Sequence, residues 1–172
     1  MPDLSLSFNS ERFDFDLTLA GDGVNRDLEG DDGLLTAVII SLFTDRRARD
    51  DDPLPDERVG VPSDQRGWWG DCIPEEGRRD PIGSRLWLLA REKDMPVVVD
   101  RAREYAEEAL QWLVRDRHVG ELRVEASRVG PGHLGLDVRA LPLPGTGERT
   151  REWNFFYDYI NAQTLKIQAP GV

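Results

Sequence analysis

Few side chains in this 172-residue sequence have the types and spacing that catalysis requires. A hydrolase needs a nucleophile beside a general base, and the candidates are Cys72 and Ser84 with the two histidines, His118 and His133. Both histidines fall in or beside a predicted β-hairpin, and no known motif joins either of them to a nucleophile. The sequence therefore predicts no catalytic residues.

The 33 acidic residues suggest two further kinds of site, a pair of acids for glycoside cleavage and a calcium loop. A muramidase holds one carboxyl group protonated in an apolar cleft beside an ionised one, and no glutamate here has flanking residues that identify such an acid. The acidic turn from Asp22 to Asp32 lacks the ligand spacing of an EF-hand. It reads as a turn before the next helix, and no nucleotide-binding motif is present, so we expect no metal and no cofactor.

The most informative motif is RGWWGD, which comprises Arg66, Gly67, Trp68, Trp69, Gly70 and Asp71. Two adjacent tryptophans cannot both point into one core from a regular strand or helix, so at least one should reach another surface. Arginine and tryptophan also dominate the binding hot spots of protein interfaces. The alternative is that the two rings plug the edge of their own core while Arg66 and Asp71 pair with neighbouring residues. The sequence leaves both interpretations open.

The net charge of −11 repels phosphate backbones and anionic lipid headgroups. We therefore expect neither a nucleic acid nor a membrane as partner, and no apolar run approaches the roughly 18 residues that span a bilayer. The arginine clusters at 46–47 and 78–79 are expected to meet carboxylates of a partner protein. The single cysteine cannot form an internal disulfide, which fits synthesis in a reducing cytoplasm.

Hydrophobic periodicity predicts the elements of the first half of the chain. Residues 13–19 alternate as a half-buried strand. Residues 33–47 are apolar on nearly every face and predict a buried helix, with Arg46 and Arg47 at its negative C-terminal end; its β-branched residues leave a strand as the alternative. Residues 50–81 are rich in Asp, Pro and Gly and predict a long irregular loop.

The second half of the chain has stronger patterns. Residues 84–92 predict a short helix capped by Ser84, and residues 97–117, preceded by Pro96, carry an apolar stripe typical of an amphipathic helix. Alternation on both sides of Gly130-Pro131-Gly132 predicts a hairpin. A last alternating stretch predicts a strand at a sheet edge, with Trp153 and Phe155 available to a neighbour's strand. Trp87 and Trp112 are expected in the core.

These elements predict an α+β fold, with two to three helices packed on a small, mainly antiparallel sheet. A chain of this length can bury one core, so we expect a single domain over residues 1–172, with the irregular loop at 50–81. Residues 165–172 are expected to form a mobile C-terminal tail, with an added strand as the alternative.

The order of several segments resembles the Mu-type phage baseplate protein family. These segments are ISLFTDRRA, RGWWGD, GSRLWLL and YAEEALQWLV, followed by a hairpin, and the resemblance runs from about Phe13 to Trp153. That family is similar in turn to the small wedge protein of T-even phage baseplates, the sheath initiator. The T-even relatives carry a short Glu-Pro-Arg element in the region where RGWWGD stands here.

The resemblance implies a structural subunit, not an enzyme, that is assembled in the bacterial host cytoplasm and located in the virion tail baseplate. It implies contacts with other wedge and hub proteins and with the tail sheath, whose assembly such proteins help to start. Together with the residue types, it assigns partner contacts to Arg46, Arg47, the motif at 66–71, Trp153 and Phe155. Two alternatives remain open, a peptidoglycan-degrading, lysozyme-like tail enzyme and an acidic assembly chaperone.

Overall fold

The computed structural model describes residues 34–55, 64–72, 81–90, 92, 96–147 and 149–161, together with the backbone of short strands at 3–4, 6–9, 14–17, 19–20, 27–28, 30–31 and 163–168. The acidic turn predicted at 22–32 lies mostly outside the described residues, as do Arg78 and Arg79. None of the described helices combines the length and the apolar character that crossing a membrane requires.

Six short strands form antiparallel pairs near the N-terminus. The pairs are β1 (Asp3–Leu4) with β6 (Gly30–Asp31), β2 (Leu6–Asn9) with β3 (Asp14–Leu17), and β4 (Leu19–Ala20) with β5 (Asp27–Leu28). In place of the single strand predicted at 13–19, the chain thus forms two strands, β3 and β4.

Helix α1 spans Leu34–Phe43, so the first predicted segment is a helix and the strand alternative is wrong. The helix ends four residues before the expected end at 47, because Asp45 and Ser84 form a parallel bridge that draws the chain away from the helix axis. Arg46 and Arg47 therefore lie beyond the helix and do not complement its dipole. Nor is the helix buried all round, since Ile40 is 42% exposed.

The described part of the irregular loop predicted at 50–81 contains a single turn of 3₁₀ helix, Trp69–Cys72. A second 3₁₀ turn, Leu86–Leu89, replaces the helix predicted at 84–92, and all four of its residues are buried. Arg85 directly precedes this turn, but the Ser84 hydroxyl oxygen accepts a hydrogen bond from the Leu86 backbone N–H at 3.3 Å, so Ser84 does cap the turn. The same buried hydroxyl donates to the Leu42 carbonyl at the end of α1. The segment thus enters the core as one 3₁₀ turn and not as an α-helix.

Helix α2 spans Pro96–Arg115, as the apolar stripe predicts, with Pro96 at its first position. It packs against α1, the buried 3₁₀ turn and the sheet. Its buried residues are Val98, Ala102, Tyr105, Ala106, Ala109, Leu110 and Leu113.

Four antiparallel strands form the main sheet: β7 (Glu121–Gly130), β8 (His133–Leu141), β9 (Arg151–Asp158) and β10 (Gln163–Gln168). Their order in the sheet is β10-β9-β8-β7. The hairpin prediction is confirmed by β7 and β8, which turn at Pro131 and Gly132, and Gly132 has a positive φ of 77°. The α+β fold is confirmed, with helices packed on an antiparallel sheet.

One prediction for the C-terminal part is wrong. Strand β9 is not a sheet edge, because β8 and β10 flank it on both sides, and Trp153 and Phe155 lie in the core at 5% and 0% exposure. Phe155 packs edge-on against Phe43 of α1, with ring centroids 5.5 Å apart. Residues 165–168 belong to β10, which is the added strand that the sequence left open, while residues 169–172 of the expected tail lie outside the described part.

Candidate partner-binding site

The tryptophan loop, residues 64–72, places two indole rings at the surface. Trp68 is 40% exposed and Trp69 is 73% exposed, and their ring centroids lie 5.3 Å apart at a tilt of 43°. The motif folds this way because Arg66 and Gly67 both adopt positive φ, 52° and 109°, which turns the chain sharply before the rings. The tryptophans therefore do not plug their own core, and the interpretation with an outward-facing ring describes this loop.

Arg66 joins the tryptophan loop to the core. Its guanidinium group forms an ion pair with Asp45 at 2.7 Å and lies 4.4 Å from the centroid of the Trp87 ring. Trp87 is buried, as predicted, and its indole N–H donates to the Arg46 carbonyl at 2.8 Å. A cation over an aromatic face adds roughly 0.5–2 kcal/mol of stability. The part of the alternative interpretation that paired Arg66 with a neighbour is thus correct.

The segment 45–49 also contacts the start of the tryptophan loop. The backbone N–H of Ala48 donates to the Gln65 carbonyl at 2.9 Å, and the Arg47 guanidinium donates to the Gln65 side chain. Gly67 lies so close that a Cβ there would stand 2.8 Å from Arg47 Cβ. Of the two arginines predicted to meet a partner's carboxylates, Arg47 thus contacts Gln65 and Arg46 lies 3.5 Å from Glu108 of its own chain.

A cluster of buried ion pairs, formed by Arg85, Asp52 and Glu108, fixes the base of this region. The Arg85 side chain is only 9% exposed; it contacts Asp52 at 2.7 Å, donates to Glu108, and lies 4.5 Å from the centroid of the Tyr105 ring. Arg49 adds a further contact to Glu108 at 2.8 Å. The cluster joins the chain after α1, the residue before the buried 3₁₀ turn, and α2, so three segments are tied together at the base of the loop.

The electrostatics of this cluster are those of a structural ion pair. Burial alone would raise the pKa of Glu108, but the hydrogen bond and charge of Arg85, with the charges of Arg46 and Arg49, lower it below its usual range. A muramidase needs the opposite, a carboxyl group whose pKa is raised so that it stays protonated. Sequence reasoning missed the cluster, because Glu108 lies far along the chain and an arginine-rich run does not reveal its partner.

A groove with a volume of about 260 Å³ lies between the surfaces of α1 and α2, next to the tryptophan loop. It is smaller than the roughly 300–1,000 Å³ typical of small-molecule sites. Trp112 forms one wall, half-buried instead of fully in the core as predicted, and donates to the Ser41 hydroxyl at 3.0 Å. The lining has no ionisable side chain; it comprises Thr36, Ala37, Ile40, Ser41, Pro81, Ile82, Gly83, Ala109 and Trp112.

The candidate nucleophiles and bases have other roles where the structure describes them. Ser84 is buried and bonds to Leu42, His118 packs edge-on against the Trp112 ring at 5.4 Å, and His133 lies 4.0 Å from Asp158. The side chain of Cys72 lies outside the described residues. Within the described part of the chain, no three His, Cys, Asp or Glu side chains are grouped so that they could hold a metal ion.

The remaining site residues differ in their surroundings. Asp71 accepts a hydrogen bond from the backbone N–H of Ile82 at 3.3 Å, which joins the tryptophan loop to the rim of the groove. Trp153 and Phe155 lie in the sheet and are not brought together with the loop. The site residues at 46–47 and 66–71 therefore form one surface region, while those of β9 belong to the core.

Comparison with known proteins relates this chain to phage proteins. Residues 34–145 match the family described as Phage protein GP46. The chain is 49% identical over 144 residues to the Baseplate protein gp46 of Escherichia phage Mu, which covers 84% of this chain and 89% of that protein. It is 38% identical over 126 residues to the Mu-like prophage FluMu protein gp46 of Haemophilus influenzae, covering 73% and 81% of the two chains. The resemblance inferred from the segment order is confirmed, and the chain belongs to the Phage protein GP46 family.

Proposed function

We propose that this chain is a structural subunit of a phage-type tail baseplate, assembled in the bacterial host cytoplasm, and that it acts through contacts with other baseplate proteins. The observation that carries the proposal is the exposed Trp68–Trp69 pair, in a chain that is 49% identical to a protein named as a baseplate protein. Large aromatic side chains held in place at a surface have the character of interface hot spots.

The rigid support of the tryptophan loop favours a binding role. Arg66 ties the loop to Trp87 and Asp45, and the Arg85 cluster fixes the segments beneath it. A surface that is already ordered loses less conformational entropy when a partner binds. The two tryptophans are therefore presented in a conformation suited to a permanent assembly.

Non-enzymatic action is part of the same proposal. Glu108, the most strongly coordinated acid of the described region, is held ionised by arginines, and the apolar groove has no acid or base in its walls. These features support contact with a partner better than turnover of a substrate. The lysozyme-like enzyme gains no support from them.

Within the baseplate, we assign the chain to the wedge, where it would contact wedge and hub proteins and help to start the tail sheath. The main sheet supports a role in strand pairing, although at a different place from the predicted one. Strand β7 is ten residues long and pairs only with β8 within the described sheet, so a neighbour's strand can be added at its outer side. Exposed charges at Glu121, Arg123 and Glu125 would limit unspecific pairing there.

Co-expression with the products of the adjacent reading frames tests the proposal. The eluted complexes are measured by light scattering, for the wild-type chain, for Trp69→Ala and for Val97→Ala as a matched control. Val97 is also an exposed apolar residue, 42% exposed, but it lies in the first turn of α2. We expect a stoichiometric complex that Trp69→Ala weakens by about 2 kcal/mol and that Val97→Ala leaves unchanged.

Two other results would contradict the proposal. A chain that stays monomeric with every neighbour would remove the baseplate role. Loss of turbidity from a peptidoglycan suspension, abolished by a single Glu→Gln change, would establish the enzyme instead.

The sheath role has a test of its own. The wild-type complex is mixed with purified sheath protein, and we expect a shorter lag before the sheath protein polymerises.

A further inference from the structure

The charged groups around the tryptophan loop have an excess of negative charge. Residues 45–52 and 64–71 contain six aspartates and four arginines. All four arginines have contacts within the chain: Arg46 and Arg49 with Glu108, Arg47 with Gln65, and Arg66 with Asp45. Three of these arginines are therefore paired with acids of their own chain, while Arg47 bonds to a neutral side chain.

Two of the aspartates on this surface, unlike three of the four arginines, have no oppositely charged partner in the described part of the chain. Asp50 and Asp51 are exposed, and Asp50 only accepts a hydrogen bond from the Gln65 amide, at 3.3 Å. Neither of them has an ion pair among the described residues. The whole chain adds a field of the same sign, with a net charge of −11. A partner that carries positive charge is thus favoured at this surface, and a partner that carries carboxylates is opposed.

The indole rings themselves fit the same partner chemistry. The face of a tryptophan ring is the negative side of its quadrupole and attracts ammonium and guanidinium groups. The two cations that lie over aromatic rings in the described part are Arg66 over Trp87 and Arg85 over Tyr105, so no described cation covers Trp68 or Trp69. Trp69, at 73% exposure, offers such a face to a neighbour.

We propose that the tryptophan loop receives a lysine or arginine side chain of a neighbouring baseplate subunit over Trp69, with the surrounding aspartates selecting a basic partner surface. The inference rests on the proposed function and adds the chemistry of the partner. It reverses the expectation from the sequence, in which Arg46 and Arg47 meet a partner's carboxylates, because these arginines already have contacts within the chain.

The test uses the full-length chain in its complex with the co-expressed neighbour, and measures the dissociation constant for three variants. Trp69→Phe keeps an aromatic face, Trp69→Leu keeps apolar bulk without that face, and Trp69→Ala removes both. We expect Trp69→Leu to weaken the complex about tenfold or more, close to Trp69→Ala, while Trp69→Phe loses much less. Val97→Leu, in the first turn of α2, is the control.

Salt provides a second measurement on the same complex. The affinity should fall as the salt concentration rises from about 0.05 M to about 0.5 M, because screening weakens the attraction between the aspartates and the partner's cations. Asp51→Asn should reduce this salt dependence. Asp100→Asn, an exposed aspartate on α2, should not.

The results separate this proposal from the one on which it rests. If Trp69→Ala weakens the complex while Trp69→Leu and high salt leave it intact, the loop is an apolar anchor; the basic partner is then refuted and the baseplate role stands. If no neighbour forms a complex with the wild-type chain, the baseplate role fails and this inference fails with it.

Discussion

Arg85 connects its own segment to two others, the chain after α1 and helix α2. Its guanidinium group contacts Asp52 and Glu108, and it is almost completely buried. Replacing it with methionine would leave the Asp52 carboxylate without its cation, and Glu108 with only the more exposed Arg46 and Arg49. We expect Arg85→Met to lower the free energy of unfolding by about 3 kcal/mol, as measured by urea denaturation.

The control for this change is Arg103→Met. Arg103 is half-exposed and lies 3.9 Å from Glu107 one turn along α2. Exposed pairs of this kind contribute about 0.5 kcal/mol or less. Equal losses for the two variants would mean that the buried cluster contributes no more than an ordinary surface pair.

Glu108 makes the stability of the fold depend on pH in the acid range. Burial works to raise its pKa, yet Arg85, Arg46 and Arg49 lower it below the ordinary value of 4.5. A carboxyl group whose pKa is lower in the folded chain stabilises the fold above its unfolded pKa, and this contribution is lost as the pH falls through the folded pKa. We expect the urea midpoint to decrease below about pH 4.5, and Glu108→Gln to flatten this decrease. Parallel curves for the two proteins would contradict the prediction.

At the scale of the elements, Gly83 determines how closely the chain crosses the end of α1. Its φ is +98°, and a Cβ there would stand 2.3 Å from the Thr44 carbonyl oxygen. That oxygen accepts the backbone hydrogen bond of Ser84 at 2.9 Å, so it cannot move away without breaking the bond. We expect Gly83→Ala to cost about 3 kcal/mol of unfolding free energy.

Gly145→Ala is the matched variant for this position. Gly145 also has a positive φ, +87°, but a Cβ there would meet no atom within 4 Å. Its substitution should cost only the backbone strain, about 1 kcal/mol. If both alanine variants lost the same stability, the close approach of Gly83 to Thr44 would have no energetic role.

The elements that could be predicted from the sequence are those whose patterns repeat within one segment. Helix α2 and the β7–β8 hairpin have uninterrupted periods, and the structure confirms both. The end of α1 could not be predicted, because the bridge from Asp45 to Ser84 depends on residues far apart in the sequence. Strand β9 was assigned correctly as a strand, but alternation is the same for an inner and an edge strand, so the burial of Trp153 and Phe155 could not be foreseen.

The candidate site was predictable in the same uneven way. The outward-facing ring followed from two adjacent tryptophans between glycines, since no regular element buries both. The partners of the arginines did not follow, because Arg46 and Arg85 meet at Glu108 on α2 only in the folded chain. Residue types thus predicted a contact surface. Whether its unpaired charges are positive or negative could be seen only in the folded chain, where these arginines are paired.

At the scale of the whole molecule, the net charge and the exposed indole give a prediction that needs no partner. Trp69 is far more exposed than the buried Trp87 and Trp153, so ionic quenchers reach it first. A negative surface attracts caesium ions and repels iodide. Compared with N-acetyltryptophanamide as reference, we expect caesium to quench the tryptophan emission at least about twofold better than iodide at low salt.

Trp69→Phe locates this effect within the molecule. Because the other exposed ring, Trp68, is only 40% exposed, the variant should lose most of the quenching by either ion and most of the difference between them. The difference should also shrink at about 0.5 M salt, where charges farther apart than a few ångströms are screened. Iodide that quenches as well as caesium in the wild-type chain would mean that the field at Trp69 is not negative, and it would remove the electrostatic basis for a basic partner at the tryptophan loop.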